Sequence, residues 1–547
     1  MDAGIQPLPI DVVHLIAAGE VIDSPAAVVR ELAENALDAG ATRITIALDT
    51  DQWRIRVTDN GKGMTFEDLQ QAAAPHSTSK IRDRQDLGHI TSLGFRGEAL
   101  HSLAQLSDLT ICSRHQTATA GWQLVYNSQG QVQQANPIAL APGTTVTAHN
   151  LFASWAVRRQ GLPTVAQQLR AIQTMVQHLA LCHPHVTWQV QQGDRDWLSL
   201  FPSRTARAIL PQLLRDVQWG DLSERLVTPE QPFYLLLGLP DRAHRRRPDW
   251  IRIALNGRMV HLPELEQTIL TSFRRTLPRD RYPICFVHLQ ARPDQIDWNR
   301  HPAKSEVYLQ PLDHWRAQVA AAIGQTLQLQ PDSLAESYQT TRLQTLLKTA
   351  ETASPYGPEP NPTAEPPPTA LRAIAQVHQR YILAEHPTGV WLIEQHIAHE
   401  RVLYEQLCDR WQIVPLDSPL ILNHLTVAQV EQLQRIGLDI EPFGETAWVV
   451  RTAPDLLATR SDCAAALVEL SLGGDLQTAQ VATACRSAIR NGTPLSLAEM
   501  QTLLNQWQQT RQPRTCPHGR PICLTLEESS LARFFRRHWV IGKSHGI

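Results

Sequence analysis

The sequence predicts an α+β chain of several domains: an amino-terminal α/β sandwich, a second α/β unit, a Pro-rich linker and a smaller α+β carboxyl-terminal domain. Three observations carry this. At 547 residues the chain exceeds what one hydrophobic core can hold, because chains of this size divide into units of roughly 100–200 residues. Strand-like runs at Ile44–Leu48, Arg54–Thr58 and Asp108–Ser113 alternate with helical stretches, the pattern of layered helices and sheet. The run SPYGPEPNPTAEPPPT, Ser354–Thr369, crowds prolines into a segment with almost nothing apolar to bury, and reads as a stiff, extended spacer. The expected boundaries are therefore 1–205, 206–330, a linker at 331–369 that is Pro-rich from 354, and 370–547.

Composition narrows the class. With 43% apolar and 19% charged residues, wholesale disorder, collagen and coiled coil are excluded. Fifty Lys plus Arg against 53 Asp plus Glu give a formal charge of −3, so any contact with nucleic acid needs a local basic patch. The start, MDAGIQPLPIDVV, has no basic stretch ahead of an apolar one, and no window is apolar enough to span a membrane. A cytoplasmic, nucleoid-associated protein with no membrane partner is expected. The eight cysteines form no short, even-spaced framework and read as reduced thiols.

In residues 1–205, Ser24 suits a helix N-cap, Pro25 the first turn and Gly40 a left-handed stop. On the predicted helix Glu31, Glu34, Asn35 and Asp38 recur at spacings that line one face. For charges alone a solvated face is the simpler reading; the Asn among acids, and the loops downstream, favour a binding site. Those loops are Asp59-Asn60-Gly61-Lys62-Gly63-Met64 after a strand and Gly94-Phe95-Arg96-Gly97-Glu98 before a helix. Glycines let backbone N–H groups approach phosphate oxygens, and a helix start favours an anion. The Walker pattern G-x-x-x-x-G-K-S/T is absent.

Taken together, E-L-A-E-N-A-L-D-A (Glu31–Ala39), D-N-G-K-G-M (Asp59–Met64), H-S-T-S-K (His76–Lys80), G-F-R-G-E-A-L and G-T-T-V (Gly143–Val146) resemble the GHKL (Bergerat) ATPases. I-A-A-G-E-V-I (Ile16–Ile22) and N-R-H-P-A-K-S-E-V (Asn299–Val307) look like the MutL branch. The resemblance implies ATP and Mg²⁺ as cofactors and a ribosomal-S5-like transducer as the second unit. It makes Glu31 the general base for water and Asn35 a magnesium ligand, a neutral oxygen suited to a hard cation. Asp59 would accept from the adenine amino group, with Gly61, Gly63 and Thr145 beside the base. Glu34, Asp38, Thr78, Ser79 and Lys80 would line the nucleotide site, and Gly94, Phe95, Arg96, Gly97 and Glu98 would form the phosphate lid. Lys304 would reach the γ-phosphate from the second unit, making closure depend on nucleotide state. One departure is Leu151-Phe152-Ala153-Ser154-Trp155-Ala156-Val157-Arg158-Arg159, where MutL proteins carry N-T-P-A-R after the Leu-Phe pair.

In residues 206–330, Arg242, Arg245, Arg246, Arg247 and Arg252 form one basic run, and Arg274, Arg275, Arg279 and Arg281 another. Guanidinium forks suit phosphates without reading sequence, and an exposed basic loop is the alternative. The resemblance implies double-stranded DNA as the partner, through Arg245, Arg246, Arg274 and Arg275.

In residues 370–547, Glu394-Gln395-His396-Ile397-Ala398-His399-Glu400 follows a strand and opens a helix, so that His396 and Glu400 share a face. Far downstream Cys516-Pro517-His518-Gly519-Arg520-Pro521 sets a thiol and an imidazole two apart in a rigid loop. Either half alone is a weak signal. The pair resembles the carboxyl domain of endonuclease-type MutL, with the signature D-Q-H-A-x-x-E-x-x-x-x-E. Here Glu394 stands for Asp, Ile397 for Ala, and Glu405 matches the last acid; Ala484-Cys485-Arg486 and Phe535-Arg536-Arg537 match companion motifs. Zn²⁺ suits Cys and His while Mn²⁺ or Mg²⁺ suits carboxylates. The implied set is Glu394, His396, Glu400, Cys516 and His518, with Glu394 and Glu400 catalytic for nicking. Trp411-Gln412-Ile413-Val414-Pro415-Leu416 resembles the segment that docks such proteins on the sliding clamp; a strand edge is the alternative.

The resemblance thus implies a homodimeric, ATP-dependent DNA clamp that couples a mismatch-recognition protein, MutS, to metal-dependent incision. A matchmaker without nuclease chemistry and a different GHKL machine are the rival readings.

Overall fold

The helix marked by Ser24 forms as Pro25–Asp38: the Ser24 side chain accepts from Ala27 N at 3.3 Å, and proline occupies its first turn. The computed structural model describes residues 9–78, 80, 92–94, 97–193, 195–227, 232–297, 307–328, 371–387, 389–444 and 446–527. The chain divides into two compact units. One gathers Met1–Gly238, Asp249–Ile269 and Ile284–Ala320; the other gathers Leu239–Pro248, Leu270–Pro283 and Ala321–Ile547.

The first unit is built on an eight-stranded sheet of β1 (Arg43–Asp49), β2 (Arg54–Asp59), β3 (Asp108–Arg114), β4 (Gly121–Tyr126), β5 (Val132–Ile138), β6 (Gly143–His149), β7 (Thr187–Gln192) and β8 (Arg195–Leu200), in the order β5-β4-β3-β6-β2-β1-β7-β8. Only β1 and β7 pair in parallel. The alternation in β1 buries Ile44, Ile46 and Leu48, whose antiparallel partners on β2 are Asp59, Val57 and Ile55. Successive residues point to opposite faces, so Asp59 lies on the core-facing side at the strand's end. Helices Pro25–Asp38 and Val165–Cys182 pack on one another. The first contributes Val28, Val29, Leu32, Ala33 and Ala36 to the interior.

The same unit holds a five-stranded sheet, in spatial order Arg258–Val260, Ile251–Leu255, Cys285–Leu289, Phe233–Gly238 and Leu222–Val227. Strands Ile251–Leu255 and Arg258–Val260 are joined by Asn256 and Gly257, with φ of 47° and 86°. That is the two-residue turn for which Asn-Gly is the preferred sequence.

In the second unit the sheet Arg372–Val377, Tyr381–His386, Gly389–Glu394, Cys523–Glu527 is antiparallel throughout. Trp391 and Trp507 are buried in its core, together with Ile382, Ile393 and Leu504. Strand Gly389–Glu394 runs directly into helix Gln395–Asp409. A separate three-stranded sheet, Ile413–Asn423, Ala447–Pro454, Ile440–Phe443, has its own core around Leu433, Val450, Leu457 and Leu467. Trp411 packs there, and its Nε1 donates to Ile436 O at 2.9 Å. Ile413–Pro415 are paired in the ladder with Thr452–Pro454, so the segment that resembles a clamp-docking motif lies in a sheet. Among the described residues no single helix is long and apolar enough to cross a membrane.

Candidate nucleotide site and metal centre

Helix Pro25–Asp38 delivers two polar side chains to Lys80. Its Nζ is 3.1 Å from Asn35 Oδ1 and 2.5 Å from Asp38 Oδ2. Asp38 also receives Leu93 N on Oδ1 and Gly94 N on Oδ2, both at 2.9 Å. A Cβ on Gly94 would meet Lys80 Nζ at 3.0 Å and Asn35 Oδ1 at 3.1 Å, so glycine at position 94 relieves crowding where the loop approaches these two side chains. Glu31 is partly buried and paired with Arg30 at 3.2 Å. Thr78 Oγ1 accepts from Lys80 N at 3.2 Å, and Glu98 lies 3.4 Å from His76. Ser79, Phe95, Arg96 and Lys304 lie outside the described residues.

At the end of β2 the Asp59 Oδ1 accepts from Gly61 N at 2.8 Å. Burial pushes the Asp59 carboxyl up, against the backbone N–H groups of Gly61 and Thr144 that hold it down. Gly63 has φ +68°, and a Cβ there would collide with the carbonyl of Arg114; only glycine lets the turn lie against β3.

Two expectations change. Thr144, not Thr145, is the strand partner of Asp59, while Thr145 faces Thr58, with the two hydroxyls 3.1 Å apart. Cross-strand partners share a face and neighbours alternate, so Thr145 points away from Asp59. Glu34 is not open to a nucleotide: it is 2% exposed, and Arg258 holds both of its oxygens.

In the second unit, His396, Glu400 and Cys485 bring one donor atom each within 4.8 Å of one another, and so do Glu400, Cys516 and His518. Glu400 is shared and fully buried. The His396 Nδ1 donates to Ile489 O at 2.9 Å, which fixes the tautomer and leaves Nε2 free as a ligand. His518 Nδ1 approaches Glu400 Oε1 at 2.7 Å, but not along a hydrogen-bond direction, and that buried oxygen has no hydrogen-bond partner. Burial opposes ionisation of Glu400, yet His518, Arg520 and His396 together keep its carboxyl below its usual range. The Cys516 sulfur and the Glu400 carboxylate beside its ring push His518 up to about 9. A carboxylate, two imidazoles and two thiols around an unbonded buried oxygen are the donor set of a zinc or mixed-metal centre, and the residues fit such an ion.

Glu394 stands elsewhere. It caps helix Gln395–Asp409, accepting from Ile397 N at 2.6 Å, and lies 3.4 Å from Arg380. It is in neither ligand grouping; Cys485 supplies the fifth donor instead. Glu405 receives the backbone N–H groups of Arg511 at 2.7 Å and Gln512 at 3.0 Å, so it anchors the strand of chain that leads into Cys516.

Three family models match the chain. Residues 23–151 match the histidine kinase-, DNA gyrase B- and HSP90-like ATPase, residues 232–328 the DNA mismatch repair protein C-terminal domain, and residues 374–495 the MutL C-terminal dimerisation domain. The DNA mismatch repair protein MutL of Nostoc punctiforme is 60% identical over 564 residues, covering 99% of each chain. That of Rippkaea orientalis is 58% identical over 564 residues and covers 100% of each. The chain belongs to the MutL family. A solved structure, the Aquifex aeolicus MutL ATPase domain complexed with ADP, is 22% identical with a TM-score of 0.38, over 49% of this chain and 93% of that one.

As a MutL protein, the chain carries a GHKL-type ATPase domain and a MutL dimerisation domain. Sequence reasoning gave no binding role to three of the residues now at the sites. Thr144 could be told from Thr145 only by strand register. Cys485 stands in the Ala484-Cys485-Arg486 companion motif, but it sits 89 positions from His396 and no spacing rule makes it a ligand beside that residue. Arg258 had no signal beyond an Asn-Gly turn. Of the basic residues, Arg246 is exposed and Arg245 lies in a short strand paired with Tyr282. Arg274 and Arg275 are engaged within the second unit, by Asp475 at 3.1 Å and Thr478 at 3.0 Å.

Proposed function

We propose that this MutL protein is an ATP-gated DNA clamp and matchmaker of mismatch repair whose carboxyl-terminal region nicks DNA with a bound metal. The observation that carries the nicking reading is the meeting of two ligand groupings at one buried carboxylate, Glu400. His396 and Cys485 would hold an ion on one side, Cys516 and His518 on the other. A bound Zn²⁺ or Mn²⁺ supplies a more acidic water and positive charge for a phosphodiester. The chain's own work is orientation: Ile489 O sets the His396 ring, and Glu405 sets the loop before Cys516.

On the ATPase side, Asn35 would hold Mg²⁺, Glu31 would orient the attacking water, and Asp59 with Gly63 and Thr144 would receive adenine. Asp38 and Lys80 would surround the phosphates with the 94–97 loop, and Lys304 would complete the site. The four-part organisation expected from the sequence, with boundaries near 205, 330 and 369, would allow switching by domain closure. Homodimerisation, double-stranded DNA at Arg245, Arg246, Arg274 and Arg275, coupling to MutS and docking on the clamp complete the reading.

The engagement of Glu394 as a helix cap favours one second reading, a matchmaker that hydrolyses ATP without nicking. Nicking of supercoiled plasmid by the whole chain with Mn²⁺ and ATP separates the two. Nicking by the parent chain that disappears in Glu400→Ala is the expected result. Intact ATP hydrolysis with no nicking by the parent, in either metal, sinks the nuclease.

A further inference from the structure

The turn Asn256-Gly257-Arg258 is tied down more heavily than a hairpin tip requires. Asn256 Nδ2 donates to Ala291 O at 2.8 Å, and its Oδ1 accepts from Ala291 N at 2.9 Å. Gly257 O accepts from His183 Nε2 at 2.9 Å, and Gly257 N donates to His288 Nε2 at 2.9 Å. A Cβ at position 257 would meet His183 Cε1 at 3.0 Å, where φ is already +86°, so the position admits only glycine. This rigid base presents Arg258, 8% exposed, to helix Pro25–Asp38.

The guanidinium makes two kinds of contact there. Its Nε donates to Glu34 Oε1 at 3.1 Å and its Nη2 to Glu34 Oε2, while Nη2 also donates to Leu93 O at 2.7 Å. Glu34 adjoins Asn35 on the helix, and Leu93 adjoins Gly94 on the loop. Leu93 is therefore held at both ends: its N–H by Asp38, its carbonyl by Arg258. A buried ion pair contributes little net stability compared with an apolar pair of the same shape. What its fork supplies is one fixed separation between three pieces of chain: the helix, the loop and the sheet that bears Arg258.

We propose that Arg258 is a positioning residue that couples the phosphate loop at Leu93–Gly94 and the helix carrying Asn35 to the five-stranded sheet, so that a shift of the loop on nucleotide binding moves that sheet. The proposal rests on the ATPase reading. It assigns no contact between Arg258 and nucleotide; that residue acts through Glu34 and Leu93.

The test uses the full chain and two variants. Arg258→Gln removes the charge; Arg258→Lys keeps it but replaces the planar fork that holds both Glu34 oxygens with a single point charge on a flexible stem. ADP affinity, steady-state ATP hydrolysis and limited proteolysis are measured with ADP and with a non-hydrolysable ATP analogue. The expected outcome is ADP affinity within about threefold of the parent, kcat down about tenfold, and loss of the difference between the two proteolysis patterns. A structural role alone would lower the melting temperature and both nucleotide affinities while preserving that difference. Should Arg258→Gln fail to fold, Arg258→Lys decides: parental kcat together with a retained ADP-versus-analogue difference overturns the coupling. Failure of the parent chain to bind either nucleotide overturns the ATPase reading instead, and is thereby distinguished.

Discussion

Thr144 and Thr145 differ by one position and by the face of β6 on which they lie. Thr144 is the cross-strand partner of Asp59, and its hydroxyl is 2.9 Å from Ser113 Oγ, whereas Thr145 is held by Thr58. If Asp59 receives adenine as proposed, a hydroxyl beside it contributes one hydrogen bond, or a bridging water, to the bound base. Such a bond is worth about 1 kcal/mol, or roughly fivefold in affinity. Thr144→Val is expected to weaken ADP binding by about that factor, and Thr145→Val by less than about twofold, in calorimetric titrations. Equal losses, or a larger loss at 145, would show that the strand register does not govern the adenine side. At Glu400 the reasoning differs, because a buried carboxylate shared by both proposed ligand groupings could not be replaced by a neighbour; its removal would strand two thiols and two imidazoles at once.

Helix Gln395–Asp409 organises the candidate metal centre as an element. It is capped by Glu394, offers His396 and Glu400 one turn apart, and ends with Glu405 gripping the backbone at 511–512. Glu405→Ala leaves two partly buried N–H groups without their acceptor and is expected to cost about 2–3 kcal/mol. It should also weaken Zn²⁺ binding, since the loop to Cys516 loses its anchor. Denaturant unfolding and competition with a zinc chelator check the two parts; unchanged zinc affinity would mean that the loop holds Cys516 and His518 without help. Much at this level could be read from sequence. The caps of Pro25–Asp38 and the i, i+4 spacing of His396 and Glu400 are local, and local signals survive in a single chain. What could not be read is non-local. The cap role of Glu394 depends on where the preceding strand delivers it, Cys485 reaches His396 only by helix packing, and Glu34 meets Arg258 across 224 positions.

Both units carry histidines lowered by burial, but the second, beside His244, His386 and His399, also carries one that is raised, His518, so only that unit is expected to lose stability on alkalisation. In the first unit burial lowers His178, His183 and His288 to about 4 from 6.5. Burial favours the neutral imidazole, and His288 Nε2 must be unprotonated to accept from Gly257 N. Folded values below the unfolded one mean stability that is complete above about pH 6.5 and lost as the pH falls from there towards 4. Each imidazole contributes at most about 3 kcal/mol, and the three do not simply add because neighbouring charges couple. In the metal-free second unit one shift runs the other way: the Cys516 sulfur and the Glu400 carboxylate beside its ring raise His518 to about 9. A raised histidine stabilises fully below about 6.5, and the contribution fades as the pH climbs through 9. Calorimetry of the chelator-treated chain should therefore show two transitions whose spacing changes with pH. Both units should lose melting temperature on acidification below 6.5, and only the second on alkalisation from 6.5 to 9. Substituting His288 by Gln, which keeps an acceptor but cannot titrate, should flatten the acid limb alone. A single transition moving as one across this range would show that the units unfold together, and an acid limb unchanged by His288→Gln would place the acid sensitivity elsewhere.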